Sequence, residues 1–241
     1  MPASSTTEFR PAPGRLPDGE RVYAIGDVHG CDDRLVALHA LIRDDLAARP
    51  VARATLVHLG DYVDRGPDSR GVLARIADPA IPGVSVVNLR GNHEAMMQDA
   101  LGGTDRAIDD WLRNGGDATL ESFGVSPDAD PASWPDAIGD AVIAQLAALE
   151  RMWSAGGYVF VHAGLRPGVP LAAQADHDLL WIRQPFLDHR GDFGAVVVHG
   201  HTPMPDWQVR PNRLGIDTGA VMGGKLTCVV LEGDRLSFLQ D

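Results

Sequence analysis

The chain has 241 residues, 44% of them apolar, which is enough to bury the core of one domain and argues against wholesale disorder. A formal net charge of −12 repels nucleic acid and anionic membrane surfaces, and no apolar run is long enough to span a bilayer, so neither is expected as a partner. Two cysteines, Cys31 and Cys228, are too few and too far apart for a disulfide framework, which fits a cytoplasmic location.

In chain order, "MPASSTTEFRPAPGRLPDGE" (1–20) is rich in Pro, Ser and Thr and lacks the apolar stretch of a secretory signal; it reads as a flexible tail ahead of one domain, 21–241. The runs "RVYAI" (21–25), "ATLVHL" (54–59) and "VSVVNL" (84–89) read as strands. Between the first two, "DDRLVALHALIRDDLAAR" (32–49) repeats apolar residues at helical spacing, with Asp32 or Asp33 to cap its start and Pro50 just past its end. Strand, helix, strand, helix, strand predicts an α/β fold with parallel pairing in this half. Residues 102–156 read as a helical cap section interrupted by Gly and Pro. The runs "GYVFVH" (157–162), "AVVVHG" (195–200) and "KLTCVVLEG" (225–233) then follow with little helix between them, which predicts an antiparallel stretch.

Polar, Gly-flanked segments close five of these strands: "GDVHG" (26–30), "GDYVDRGP" (60–67), "LRGNHE" (89–94), "VHAGL" (161–165) and "VHGHTP" (198–203). Ligand sites in open α/β sheets form outside the carboxyl ends of the strands, so these segments are expected around one crevice. Asp27 and His29 are two residues apart on a strand exit and can chelate one cation. Adding Asp61, Asn92, His162 and His201 gives more carboxylate, amide and imidazole donors than one ion needs, and two ions sharing a carboxylate is the economical arrangement. Such a pair, about 3.5–4 Å apart, polarises a phosphoryl oxygen and activates water at neutral pH. Donors of this kind without thiolate point to Mn²⁺, Fe or Zn²⁺. His39 and His58 lie in apolar periodic runs and read as packed or surface histidines rather than ligands. His199 competes with His201 for the ligand role because residues two apart on a strand share a face. Asp217 reads as a turn acid or a partner of a metal-binding histidine. Cys31, at a helix start where a thiol's pKa can be lowered, reads as a small residue with no role in chemistry.

These segments resemble, in order and spacing over roughly residues 21–220, the phosphoprotein phosphatase branch of the calcineurin-like metallophosphoesterases. "WLRNGGDATLESFG" and "IDTGAVMGG" (216–224) are similar to its bacterial and phage members, the lambda-type serine/threonine phosphatases. The resemblance implies a central β-sandwich of mixed sheets flanked by helices, and two divalent metal ions, Mn²⁺ first among the candidates. Asp27, His29 and Asp61 would hold one ion, and Asp61, Asn92, His162 and His201 the other. A bridging hydroxide would attack phosphorus in line, and His93, oriented by Asp64, would protonate the leaving alcohol. His201 takes the ligand role over His199 on the same ground. Arg65, Arg90 and Arg183 would bind the substrate phosphate.

The implied substrate is a phosphorylated protein or peptide, with small phosphoesters also conceivable. The competing reading is a dinucleoside polyphosphate hydrolase, whose bacterial members resemble this chain but show "VARGP" and "GNHD" where it has "VDRGP" and "GNHE"; Asp64 therefore favours the protein phosphatase. A binding scaffold descended from the enzymes would have lost a ligand, and all six are present.

Overall fold

The computed structural model describes residues 5–241. Two sheets stack face to face. The first is built from β1 (Ser5–Thr6), β2 (Arg10–Pro11), β3 (Glu20–Ile25), β4 (Arg53–His58), β5 (Val84–Asn88), β11 (Thr227–Glu232) and β12 (Arg235–Gln240), in the order β1-β12-β11-β3-β4-β5 with β2 also on β12. The second runs β6-β7-β8-β10-β9, from β6 (Met152–Ala155), β7 (Tyr158–Val161), β8 (Val196–His199), β9 (Gln208–Val209) and β10 (Arg213–Gly215).

Strand alternation builds the layers. On β3, Val22 and Ala24 enter the core between the sheets, where Val57, Phe160, Val198 and Val229 meet them. Tyr23 and Ile25 point the other way, under α1 (Asp32–Ala48) and α2 (Ser69–Ala77), against Leu35, Leu38, Ile42 and Val72. Val159, Val161 and Val197 face outward from the second sheet and are covered by Leu179 of α8 (Asp176–Trp181) and by Ile182 and Phe186. Burial on both faces is why these strands read as nearly continuous apolar runs. The arrangement is the expected α/β sandwich of mixed sheets flanked by helices.

As expected, β3, β4 and β5 are parallel, with Ile25 level with His58 and His58 level with Asn88. Of the later strands, β11 is antiparallel to β3 and β12 as expected, but the second sheet differs. β7, β8 and β10 are parallel, and the antiparallel pairs of this sheet are its edges, β6–β7 and β9–β10. A parallel pair needs a long crossover; the one from β7 to β8 consists of loops, one 3-10 turn at Leu171–Ala173 and the six residues of α8, too short for periodicity to show. Residues 102–156 carry α4 (Asp105–Trp111), α5 (Asp117–Ser122), α6 (Trp134–Ile138) and α7 (Asp140–Ala147), preceded by α3 (Asn92–Leu101) and closed by β6.

The flexible tail expected over 1–20 is corrected for its described part. Ser5–Thr6 and Arg10–Pro11 pair antiparallel with β12, Phe9 packs on the core and Leu16 is buried. Composition misled because an edge strand tolerates Pro, whose missing N–H is no loss there. Residues 1–4 lie outside the described residues.

His39 and His58 form a buried relay under the first sheet. Asn88 Nδ2 donates to the Ile76 carbonyl, which orients the amide so that its Oδ1 accepts from His58 Nδ1 at 2.8 Å. His58 Nε2 must then accept from His39 Nε2, 3.1 Å away. Burial holds His39 down to about 3 and His58 to about 4, so both are neutral in the folded protein at pH 7. Unfolding restores ordinary imidazoles, which take up protons below about pH 6.5. Stability is therefore expected to fall as pH drops from 6.5 towards 4, by up to about 1.4 kcal/mol per pH unit for each histidine. Urea unfolding across that range checks this, and His39→Gln/His58→Gln should show a shallower slope than the wild type.

Candidate active site

The turns after β3, β4, β5, β8 and β10 open on one cavity of about 430 Å³. Asp27, His29, Asp61, Asn92, His93 and His201 line it, with Arg65, Arg183 and Asp217; His162 lies behind, fully buried. Two groups of ligand atoms, each within 4.8 Å of one another, are His29–Asp61–His93 and Asp61–His162–His201, so Asp61 belongs to both. Its Oδ2 lies 3.5 Å from His29 Nε2 and its Oδ1 3.4 Å from His162 Nε2. Asp27 belongs to neither group; it lines the same cavity and accepts the backbone N–H of His201 at 3.0 Å.

The backbone is forced to deliver these groups. Six described non-glycine residues have left-handed φ, and five are His29, Asp61, Asp64, Arg65 and His201. Such conformations cost energy and persist where packing over-determines them, commonly at functional sites. Two glycines permit the close approach: a Cβ at Gly91 would collide with the Asp61 carboxylate, and one at Gly200 with that of Asp27.

The donor set suits cations. His29 Nδ1 donates to the Val63 carbonyl and His162 Nδ1 to that of Leu59, both at 2.9 Å, which leaves each Nε2 as an acceptor facing inward; that of His29 takes a hydrogen bond from Arg65 Nη1 at 3.0 Å. His162 Nε2 and His201 Nδ1 converge on Asn92 Oδ1 at 2.8 and 2.9 Å. With His162 neutral, its lone pair meets that of the amide oxygen, an arrangement a shared cation satisfies. Burial keeps these imidazoles in the neutral, ligating form, with His29 and His201 each lowered to about 3 and His162 also lowered. Burial pushes Asp27 well up, and Asp217 and Asp61 add to it. Asp217 rises to about 6, from burial first. Asp61 goes the other way: burial opposes its charge, but His162, His93 and His29 outweigh burial and hold the carboxyl below the usual range.

The calcineurin-like phosphoesterase family model matches residues 20–229, nearly the whole of this framework. The chain belongs to that family. It is 32% identical over 211 residues to serine/threonine-protein phosphatase 1 of Salmonella typhimurium, covering 86% of this chain and 89% of that protein. It is 28% identical over 275 residues to a symmetrical bis(5'-nucleosyl)-tetraphosphatase of Paracidovorax citrulli, covering 86% and 91%. A crystal structure provisionally named as a diadenosine tetraphosphatase shares the fold with a TM-score of 0.64 at 23% identity, covering 94% of this chain and 98% of that one. This chain is therefore a hydrolase of the metallophosphoesterase class.

Beside the ring of donors this phosphoesterase holds a second arrangement. His93 Nδ1 donates to Asp64 Oδ2 at 2.7 Å, and both residues are buried. Burial disfavours a charged His93, yet Asp61 and Asp64 prevail and its pKa is raised; burial also raises Asp64, against donors from His93, Thr119 and Trp111. Both shifts mean that the pair keeps its proton.

Several contributors had no role on sequence grounds. Trp111 Nε1 donates to Asp64 at 2.9 Å, Thr119 Oγ1 donates to it at 2.7 Å, and Arg65 N–H donates to the Gly115 carbonyl, all from residues 102–156. Asn114, Trp181, Val221 and Met222 also line the cavity. Glu94 accepts N–H groups of Asp61, Tyr62, Val63 and Gly91, tying the β4 turn to the start of α3; the Glu of "GNHE" was its only signal.

One expectation changes, that of Arg90. Arg90 does not line the cavity; it sits in a recess with Arg151, Asp176 and Leu179. Arg65 and Arg183 oppose a third guanidinium in the cavity, while Asp176 gives the recess an opposite charge. Asp217 is a wall of the cavity itself, its carboxylate accepting the Gly219 N–H, and no metal-binding histidine is among its described partners. The Cys31 thiol is buried and pushed up to about 11, so the helix start does not activate it. His199 is no rival to His201, since its ring packs on Phe186 and its Nδ1 donates to the Gly200 carbonyl.

Asp61→Asn is expected to lower the divalent metal bound by purified protein by at least half, because one carboxylate serves both groups; elemental analysis checks it. Thr119→Val removes one charge-assisted donor from a buried carboxylate and should cost roughly 1–3 kcal/mol in urea unfolding, with bound metal unchanged.

Proposed function

We propose that this phosphoesterase is a cytoplasmic serine/threonine protein phosphatase that works with two divalent cations, Mn²⁺ first among them. Asp27, His29 and Asp61 would hold one cation, and Asp61, Asn92, His162 and His201 the other. Cations held there supply Lewis-acid polarisation of a phosphoryl oxygen and an activated water. Arg65 and Arg183, at the cavity wall, orient the phosphate with planar guanidinium forks. Arg90, from its recess, is left without a phosphate contact.

The single observation that carries the choice of substrate is the buried Asp64–His93 pair at 2.7 Å, held further by Trp111 and Thr119. His93 Nδ1–H stays on Asp64, and the opposite nitrogen, Nε2, gives a proton to the departing oxygen. An alkoxide from serine or threonine is a far worse leaving group than a nucleotide phosphate, so an acid held this firmly suits the phosphoprotein. Likeness to the Salmonella phosphatase supports the same reading.

A dinucleoside polyphosphate hydrolase is the second reading. The exposed side chains of Trp181 and Met222 at the cavity are surfaces on which a base could lie, and the Paracidovorax relative is named for that activity. Metal-free protein reconstituted with Mn²⁺ and assayed side by side on phosphoserine peptide, phosphotyrosine peptide and a dinucleoside tetraphosphate separates the two. The phosphoserine peptide is expected to be the best substrate; a rate on the tetraphosphate higher by orders of magnitude reverses the choice. His93→Asn should keep its metals and lose roughly 10²–10⁴-fold in kcat on phosphoserine peptide, with a smaller loss on an aryl phosphate whose leaving group needs little protonation.

A further inference from the structure

The turn that brings His201 to the active cavity has a second side. Along it the residues alternate: His201 and Pro203 line the active cavity, whereas His199, Thr202 and Met204 line another of about 230 Å³. The two linings share no residue. The second cavity gathers Arg190, Arg210 and Arg213, with Asp188 as the one carboxylate among them.

Its buried polar atoms are unpaired. Arg213 is 5% exposed; its Nη2 donates to the Leu187 carbonyl at 3.0 Å, while Nε and Nη1 have no described partner. His199 is 3% exposed, and since its Nδ1 donates to Gly200, its Nε2 is a bare acceptor beside Gly215. Nε2 and the Thr202 hydroxyl also lack described partners. Buried polar groups are nearly always paired, and a buried guanidinium with two like neighbours is costly without an anion. Burial, and then Arg210 and Arg190, depress the Arg213 pKa against the pull of Asp188.

We propose that this cavity is an accessory site for inorganic phosphate, separate from the active cavity. Arg213 Nε and Nη1 form a fork for two oxygens, Arg190 and Arg210 neutralise charge from the rim, and Thr202 donates its hydroxyl. The remaining P–OH of hydrogen phosphate donates to His199 Nε2. Sulfate carries no such proton at neutral pH and leaves that nitrogen unpaired. The cation excess is local, in a chain whose net charge is −12.

Calorimetric titration of the metal-loaded, full-length protein with inorganic phosphate tests the site. Arg190→Ala/Arg210→Ala changes only exposed side chains and is expected to bind one phosphate per chain fewer than the wild type, or to bind it at least about tenfold more weakly. Turnover of a small phosphoester at low phosphate should be unchanged in that variant. Arg213→Gln should lose the same phosphate; because Arg213 is buried, its circular dichroism is compared first, and the exposed pair carries the test if it unfolds. Phosphate binding by the double variant identical to the wild type overturns the site. Sulfate competing for it as well as phosphate does removes His199 from the assignment.

Discussion

Three carboxylates, Asp27, Asp61 and Asp217, are buried in one cavity, and most of the architecture around it answers that constraint. Buried like charges cannot all stay ionised without compensation. The fold meets this with imidazoles kept neutral by burial and aimed by backbone carbonyls: the His29 lone pair accepts from Arg65, and that of His162 meets the Asn92 amide oxygen, an arrangement a cation satisfies. Left-handed backbone at Asp61 and His201, and glycines at 91 and 200 where a side chain would strike a carboxylate, follow from the same demand. Strain of order 1–3 kcal/mol per such residue is sustained by the sandwich beneath.

The cavity is assembled by two structures with separate duties. Strand ends of the stacked sheets position the cation donors, because parallel strands in register bring Asp27, Asp61 and Asn92 to one rim. The helices of residues 102–156 hold Asp64 through Trp111 and Thr119 and receive the Arg65 N–H at Gly115. Glu94 joins the two by fastening the Asp61 turn to the start of α3, which also carries Asn92 and His93. Asn92 and His93 thus share α3, whereas Asp64, which accepts from His93, is held by residues 102–156, so a change in those helices can reach the Asp64–His93 pair without touching the ring of donors.

What was legible in the sequence follows from that division. β-branched runs ending in Gly-Asp or Gly-Asn-His announce both a strand and its polar exit, so the polar residues that gather at the cavity, from Asp27 to His201, were readable one by one. Trp111 and Thr119 were not: one looks like core, the other like helix surface, and their partner Asp64 is 47 and 55 residues away. Glu94 is hidden because its four partners are backbone N–H groups, which no side-chain pattern records. The parallel pairing of β7, β8 and β10 escaped because loops and one short helix make the crossover. Residues 5–20 were misjudged because composition measures average polarity, while edge pairing with β12 needs only a few backbone groups and Leu16 and Phe9 to anchor.

Charge is resolved by scale. A net charge of −12 over the chain repels a phosphate at long range, yet that field is screened beyond about 8–10 Å in physiological salt. Within that distance the balance is local. In the active cavity Arg65 and Arg183 face three carboxylates, so guanidinium charge alone leaves an anionic substrate opposed, and cations bound there would change the sign. On the other side of the same turn three arginines face one carboxylate, and the sign is positive without any metal. A few residues of chain, from His199 to Met204, therefore divide a cavity whose own charges favour cations from another that has its positive charge built in.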